Sequence, residues 1–186
     1  KDSIRLVAFT GSTVVGRHLT TLASENMTSV LMELGGHAPV IVCEDTDVKV
    51  AAVQGAIRKM RNAGQVCTSP TRFFVHETIF DEFTAAYVDR AAATVVGNGM
   101  SKSVEMGPLA NERRIADITA LVENAVDCGA DLATGGKRYG DKGYFFQPTV
   151  LVNVPAQAQI MQKEPFGPIA VINSVSSLED AITKAN

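Results

Sequence analysis

The chain has 186 residues, 46% of them hydrophobic, with 17 Lys and Arg against 20 Asp and Glu for a net charge of −3. That apolar share supports a packed core and excludes a disordered chain, and the mixed charge leaves no basic footprint for nucleic acid or anionic lipid. No run of about 18 apolar residues is present, so no membrane span is expected.

The opening stretch, Lys1-Asp2-Ser3-Ile4-Arg5-Leu6-Val7, has neither a starting Met nor the apolar centre of a signal peptide, and a partial or processed chain is expected. Leu6-Val7-Ala8-Phe9 reads as a short buried strand. The turn Thr10-Gly11-Ser12-Thr13 follows, with Ser12 or Thr13 as N-cap of a helix running to Ser24. Val30-Leu31-Met32 and Pro39-Val40-Ile41-Val42 are the next strand candidates. A helix from about Asp47 to Asn62 would face the core with Val50, Val53, Ile57 and Met60, spaced by three, four and three. Asn62-Ala63-Gly64-Gln65-Val66-Cys67-Thr68 is then a loop before the strand Phe73-Phe74-Val75.

His76-Glu77-Thr78 opens a helix to Thr94, with Phe80, Phe83 and Tyr87 on one face. Gly97-Asn98-Gly99 breaks the chain. A helix from about Asn111 to Cys128 aligns Ile115, Ile118, Val122 and Val126. Glycines from Gly135 to Gly143 mark an irregular region. Pro148-Thr149-Val150-Leu151-Val152 and Ile169-Ala170-Val171-Ile172 are strands, and Ser176-Ser177-Leu178-Glu179 caps a last helix. The chain stops inside that helix, which again suggests truncation. Strands alternating with amphipathic helices predict an α/β fold, a mostly parallel sheet flanked by helices.

Three cysteines (Cys43, Cys67, Cys128) and three histidines form no CxxC and no metal-like cluster. No disulfide framework and no metal site are expected, and the default compartment is the reducing cytoplasm. Cys43 ends an apolar run and reads as a buried strand residue; Cys128 reads as a packed helix end. Cys67 differs, because a Gly-containing loop can expose a thiol near backbone N–H groups. From the loop alone, a nucleophile and a free structural cysteine are both open.

Glu33 follows an apolar strand and precedes Gly35-Gly36. It is either a carboxylate whose burial makes it a general base or a solvated strand-end acid. The strand-to-helix turn at Gly11 and Ser12 could hold an anion at helix N-terminal amides, though it lacks the GxGxxG pattern and an ordinary turn has the same form. Glu164 lies in a proline-bracketed stretch that could present its carboxylate to a sugar hydroxyl or simply stiffen a loop. Arg61 is either a solvated helix-end charge or an anchor for a substrate carboxylate.

Together, Phe9-Thr10-Gly11-Ser12, Glu33-Leu34-Gly35-Gly36, Gly64-Gln65-Val66-Cys67 and Glu164-Pro165-Phe166-Gly167-Pro168 resemble, in order, the signature motifs of the aldehyde dehydrogenase superfamily. The thirty-four-position interval from Glu33 to Cys67 is similar to the family's, as is Tyr144-Phe145-Phe146-Gln147-Pro148-Thr149. Pro165 departs from the aliphatic residue or Thr often found there.

The resemblance implies that residues 1–36 are the C-terminal part of an NAD(P)-binding domain and that 37–186 are a catalytic domain truncated at its C-terminus. It implies Cys67 as the thiol nucleophile and Glu33 as the base that activates water. Gly11, Ser12, Leu34, Glu164 and Phe166 would contact NAD or NADP, with Ser12 at the pyrophosphate, Glu164 at the ribose and Phe166 near the nicotinamide. Arg61, six residues before Cys67, is similar to the succinate-semialdehyde dehydrogenase group and implies a small acidic semialdehyde. The implied partner is a small-molecule aldehyde, in a full-length homodimer or homotetramer, and the isolated fragment is expected to be inactive. A CoA-acylating relative and a non-catalytic protein of the same fold are the alternatives.

Overall fold

The computed structural model describes residues 3–186. The chain divides into two compact units, one ending at Gly36 and one running from His37 to Asn186.

The first unit is one βαβ element. Strand β1 (Leu6–Gly11) pairs in parallel with β2 (Ser29–Leu34), Thr10 opposite Glu33. Helix α1 (Thr13–Ser24) connects them, and Ser12 is its N-cap, accepting a hydrogen bond from the Val15 amide at 3.4 Å. Gly16 is buried where a Cβ would stand 2.6 Å from Leu34 Cδ2. The missing side chain therefore lets α1 settle on β2.

The second unit is a five-stranded sheet in the order β3-β4-β7-β6-β5. Its strands are β3 (Pro39–Val42), β4 (Arg72–His76), β5 (Asp131–Thr134), β6 (Thr149–Val152) and β7 (Ile169–Val175). All neighbouring strands are parallel except β5, which runs antiparallel to β6 along the edge. Central β6 and β7 are almost entirely buried, which is why they read as unbroken apolar runs.

Its helices are α2 (Val48–Met60), α3 (Phe80–Ala92), α4 (Glu112–Asp127), the single turn α5 (Gln159–Gln162) and α6 (Leu178–Ala185). Asp47, Asn111 and Ser177 cap α2, α4 and α6 through side-chain acceptors. Phe73, Phe83 and Tyr87 form an aromatic cluster joining β4 to α3, with Phe73 edge-on to Tyr87 at 5.0 Å.

Several sequence expectations are corrected. Helix α2 does not face the core with Val50 and Ile57, which are exposed; Ala52, Ala56, Lys59 and Met60 are the buried face. On α4, Val126 is exposed while Leu121 and Ala125 are buried. His76 ends β4 and caps a 3-10 turn over Glu77–Ile79, so α3 begins only at Phe80. Cys43 lies one residue past β3 and is exposed, because the strand ends at Val42. Among the described residues, no helix is long and apolar enough to cross a membrane, and no cluster of three His, Cys, Asp or Glu could hold a metal.

Candidate active site

The cysteine loop leaves α2 through an unusual turn. Asn62 (φ 52°), Ala63 (φ 53°) and Gly64 (φ 68°) are three successive left-handed residues. For Asn and Ala this backbone costs on the order of 1 kcal/mol each, so surrounding bonds must hold it. Asn62 Nδ2 donates to the Gln65 carbonyl at 3.1 Å, and the Gln65 amide N–H donates back to the Asn62 carbonyl at 3.1 Å. The Gln65 side chain also clamps a distant segment: its Oε1 accepts from the Ala110 amide at 2.9 Å, and its Nε2 donates to the Pro108 carbonyl at 3.4 Å.

Beyond Gln65 the chain turns once more, with the Ser69 amide donating to the Val66 carbonyl at 3.0 Å. Cys67 sits inside that turn, and its residue is exposed. A thiol carried on a clamped backbone and open to solvent is positioned for a small electrophile. Arg61 is exposed at the start of the left-handed turn.

The structure brings a second predicted motif against this loop. Gly64 abuts the backbone of Gly167 and Pro168, so closely that a Cβ on Gly64 would lie 2.0 Å from the Gly167 carbonyl oxygen. Glu164 is half-buried, and Phe166, also left-handed at φ 43°, is 38% exposed. From α4, Arg114 Nη2 donates to the Pro165 carbonyl and, at 3.4 Å, to the Phe166 carbonyl, while its Nη1 pairs with Asp117 at 3.0 Å. Arg114 thus fixes a strained loop from behind.

Lys59 lies beneath the cysteine loop, 1% exposed. Its Nζ donates to Ser69 Oγ at 3.2 Å and Thr71 Oγ1 at 3.1 Å, both buried. Burial drives its pKa down to about 7, opposed by the Glu164 carboxylate, which favours the charged form.

In the first unit, Gly11 and Ser12 are exposed at the β1–α1 turn, where unpaired helix N-terminal amides can take an anion. Glu33 is exposed near the end of β2, so it is a solvent-facing carboxylate here rather than a buried one. Leu34 is half-buried, its side chain engaged in packing at Gly16.

Neither Lys59 nor Arg114 stands out in the sequence, whereas Gln65 does so as part of the Gly64–Cys67 motif. A lysine or arginine in an amphipathic helix ordinarily marks the solvated face. The one available signal for Lys59 was the small-residue stripe Ala52, Ala56, Ala63, in which it stands at helical spacing.

The aldehyde dehydrogenase family model matches residues 1–186. A succinate-semialdehyde dehydrogenase of Paenarthrobacter nicotinovorans is 46% identical over 188 aligned positions, covering 100% of this chain and 42% of that protein. An NADP-dependent succinate-semialdehyde dehydrogenase of Escherichia coli is 38% identical, covering 98% and 38%. Substrate names vary among relatives: a protein of Comamonas testosteroni that is 43% identical, over 98% of this chain and 38% of its own, is described as a putative 4-(hydroxymethyl)benzenesulfonate dehydrogenase. Among solved structures, an aldehyde dehydrogenase of Bacillus cereus superposes with TM-score 0.94 at 38% identity, over 98% of this chain and 37% of its own. Betaine aldehyde dehydrogenase of Staphylococcus aureus, solved with NAD+, superposes with TM-score 0.92 at 35% identity, over 98% and 37%. The chain therefore spans about two-fifths of the length of the relatives it matches, and over that span it belongs to the aldehyde dehydrogenase family.

Proposed function

We propose that this chain carries the nucleophile of an NAD(P)-dependent aldehyde dehydrogenase whose substrate is a small acidic semialdehyde such as succinate semialdehyde. The observation that carries this reading is the exposed Cys67 on a strained loop clamped against the segment that holds Glu164. Relatives named for succinate semialdehyde, and for NADP or bound NAD, support it.

In this reading Cys67 Sγ, as thiolate, attacks the aldehyde carbon, and the Cys67 amide N–H donates to the oxygen that gains charge. A bound nicotinamide supplies the hydride acceptor. The carbon then stands as a thioester on Cys67. Glu33 takes a proton from water, the water oxygen bonds to the thioester carbon, and the C–S bond breaks to give the carboxylic acid and the thiolate. Solvent exposure suits Glu33 to hand that proton on to bulk water.

The residues present fit the cofactor. Gly11 and Ser12 leave the start of α1 open for a pyrophosphate, with Leu34 packed beneath that helix. Glu164 offers a half-buried carboxylate for ribose hydroxyls, and Phe166 an exposed ring. Arg61 offers a guanidinium for the substrate's distal carboxylate. Residues 1–36 are then the end of the NAD(P)-binding domain and 37–186 most of the catalytic domain of a longer, homo-oligomeric cytoplasmic enzyme.

The test is NAD(P)H formation by the full-length protein with succinate semialdehyde and neutral aldehydes of similar length, with and without CoA. CoA-independent oxidation favouring the acidic substrate is expected. Absence of aldehyde oxidation, or strict dependence on CoA, contradicts the reading.

A further inference from the structure

Lys59 is a buried ammonium that the proposed chemistry leaves unused. It stands 1% exposed on the core face of α2. Taking such a group out of water is costly unless the surroundings return equivalent interactions. Here its hydrogen-bond acceptors come from one place: the exit of the cysteine loop. Ser69 and Thr71, two and four residues after Cys67, both accept from its Nζ, at 3.2 and 3.1 Å. Thr71 in turn donates to the Ser69 carbonyl at 3.2 Å. The two hydroxyls engage two of the three ammonium protons. The Glu164 carboxylate is close enough to favour the charged amine.

Gly64 and Gly167 already bring the entry of the cysteine loop against the Glu164–Pro168 segment. Lys59 holds the exit through Ser69 and Thr71. Cys67 is thus braced on both sides, by backbone contact before it and by the Lys59 amine after it, and that amine feels the Glu164 charge.

We propose that Lys59 is a positioning residue that holds the exit of the Cys67 loop through Ser69 and Thr71 and is coupled by its charge to Glu164, so that nucleophile placement and cofactor affinity depend on one buried amine. The proposal rests on Cys67 and Glu164 having the roles given above. Lys59 touches neither substrate nor cofactor in it; it acts through Ser69, Thr71 and Glu164. The lowered amine pKa agrees with a group held by these few partners in a desolvated site.

The experiment uses Lys59→Met, which keeps the apolar stem, alongside Glu164→Gln, the double variant and Ser69→Ala, all in the full-length protein. Cofactor affinity is read by fluorescence titration without aldehyde, and Cys67 placement by its rate of alkylation with iodoacetamide. Each variant is first melted to establish that it folds; if Lys59→Met does not, Ser69→Ala carries the alkylation arm and Lys59→Gln replaces it in the cycle. Lys59→Met is expected to weaken NAD(P) binding about tenfold and to change the alkylation rate at least threefold. In the double variant, the loss should fall at least fivefold short of the product of the single losses, because both remove the same electrostatic coupling. Multiplicative losses in cofactor affinity, or an unchanged alkylation rate in folded Lys59→Met, overturn the proposal. Wild-type protein that oxidises aldehyde and binds cofactor while showing these null results sinks only the Lys59 proposal. Wild-type protein that does neither sinks the functional reading on which it stands.

Discussion

Gly64 and Gly167 meet backbone to backbone, at a separation that leaves no room for a side chain on Gly64. The contact joins the loop that carries Cys67 to the loop that carries Glu164, and its local sign is a left-handed Gly64 at φ 68°.

Gly64→Ala should therefore be among the most damaging single changes. The new methyl must move backbone, not a pliable side chain, and φ is unfavourable as well. A loss of about 3 kcal/mol or more in unfolding free energy is expected, with kcat reduced well beyond what stability explains. Gly167→Ala is the comparison: its Cβ would meet Ile118 Cδ1 at 2.2 Å, the far end of a buried side chain rather than backbone, so a smaller loss is expected. Denaturant melts of both variants check the ranking, and equal losses would contradict the backbone account.

Gln65→Ala removes the acceptor of the Ala110 amide and the donor to Pro108, and frees the left-handed turn. About 0.5–1 kcal/mol of stability should be lost, since the Ala110 amide is exposed and water can replace the bond. The turnover number should fall more than KM rises, because the loop carrying Cys67 loosens while Arg61 stays in place. A KM-only effect in steady-state kinetics would mean that the clamp serves binding rather than placement of the thiol.

His37 predicts a step in acid stability. Burial is the largest influence, and with Arg72 and Lys59 nearby it lowers the imidazole pKa to about 4, against the pull of its bond to the Ile160 carbonyl at 2.7 Å. Between about pH 6.5 and 4 the unfolded chain binds a proton that the folded chain does not. Stability is accordingly complete above pH 6.5 and falls as the pH drops through that window. His37 is only half-buried, so the loss should be on the order of 1 kcal/mol. His37→Gln should flatten this part of the stability profile; an unchanged slope contradicts the assignment.

Lys59 predicts a step of the same sign at higher pH. Its pKa falls from about 10.5 to about 7 on folding. Between those values the unfolded chain is the more protonated, and so stability rises with pH, while below pH 7 the buried amine is charged in both states and the slope vanishes. From pH 7 to 9, wild type should gain roughly 2–3 kcal/mol relative to Lys59→Met. Parallel profiles for the two proteins would show that the amine is not desolvated.

The fold was readable where the physics is local or repetitive. Buried β6 and β7 appear as apolar runs, Asp47 and Asn111 stand where the sequence predicts their helices to begin, and Ser177 falls in the expected cap. The edge strand β5 was not readable: Asp131-Leu132-Ala133-Thr134 faces solvent over three of its four residues and owes its form to pairing with β6. The face of α2 was misread because Ala52 and Ala56 carry little hydrophobic signal beside Val50 and Ile57. For the candidate site, the Gly64–Cys67 stretch stood out, but Lys59 and Arg114 did not. Their roles depend on which loops fold over them, and spacing along the chain does not record that.

Arg61→Ala tests the substrate class. A charge-assisted bond to a terminal carboxylate contributes about 1.5–3 kcal/mol. KM for succinate semialdehyde should rise about tenfold or more, with KM for a neutral aldehyde of similar length nearly unchanged. Equal rises would leave Arg61 as a helix-end residue and withdraw the acidic-substrate claim.

The most direct test of the account is to find the acyl group. Full-length Glu33→Gln protein, mixed with NAD(P) and succinate semialdehyde and quenched early, should give one rapid burst of NAD(P)H followed by slow turnover. Digestion and mass measurement should then place a succinyl adduct on the peptide containing Cys67, with none on the peptides containing Cys43 or Cys128. Undiminished turnover in Cys67→Ser, or an adduct on another cysteine, would contradict Cys67 as the nucleophile.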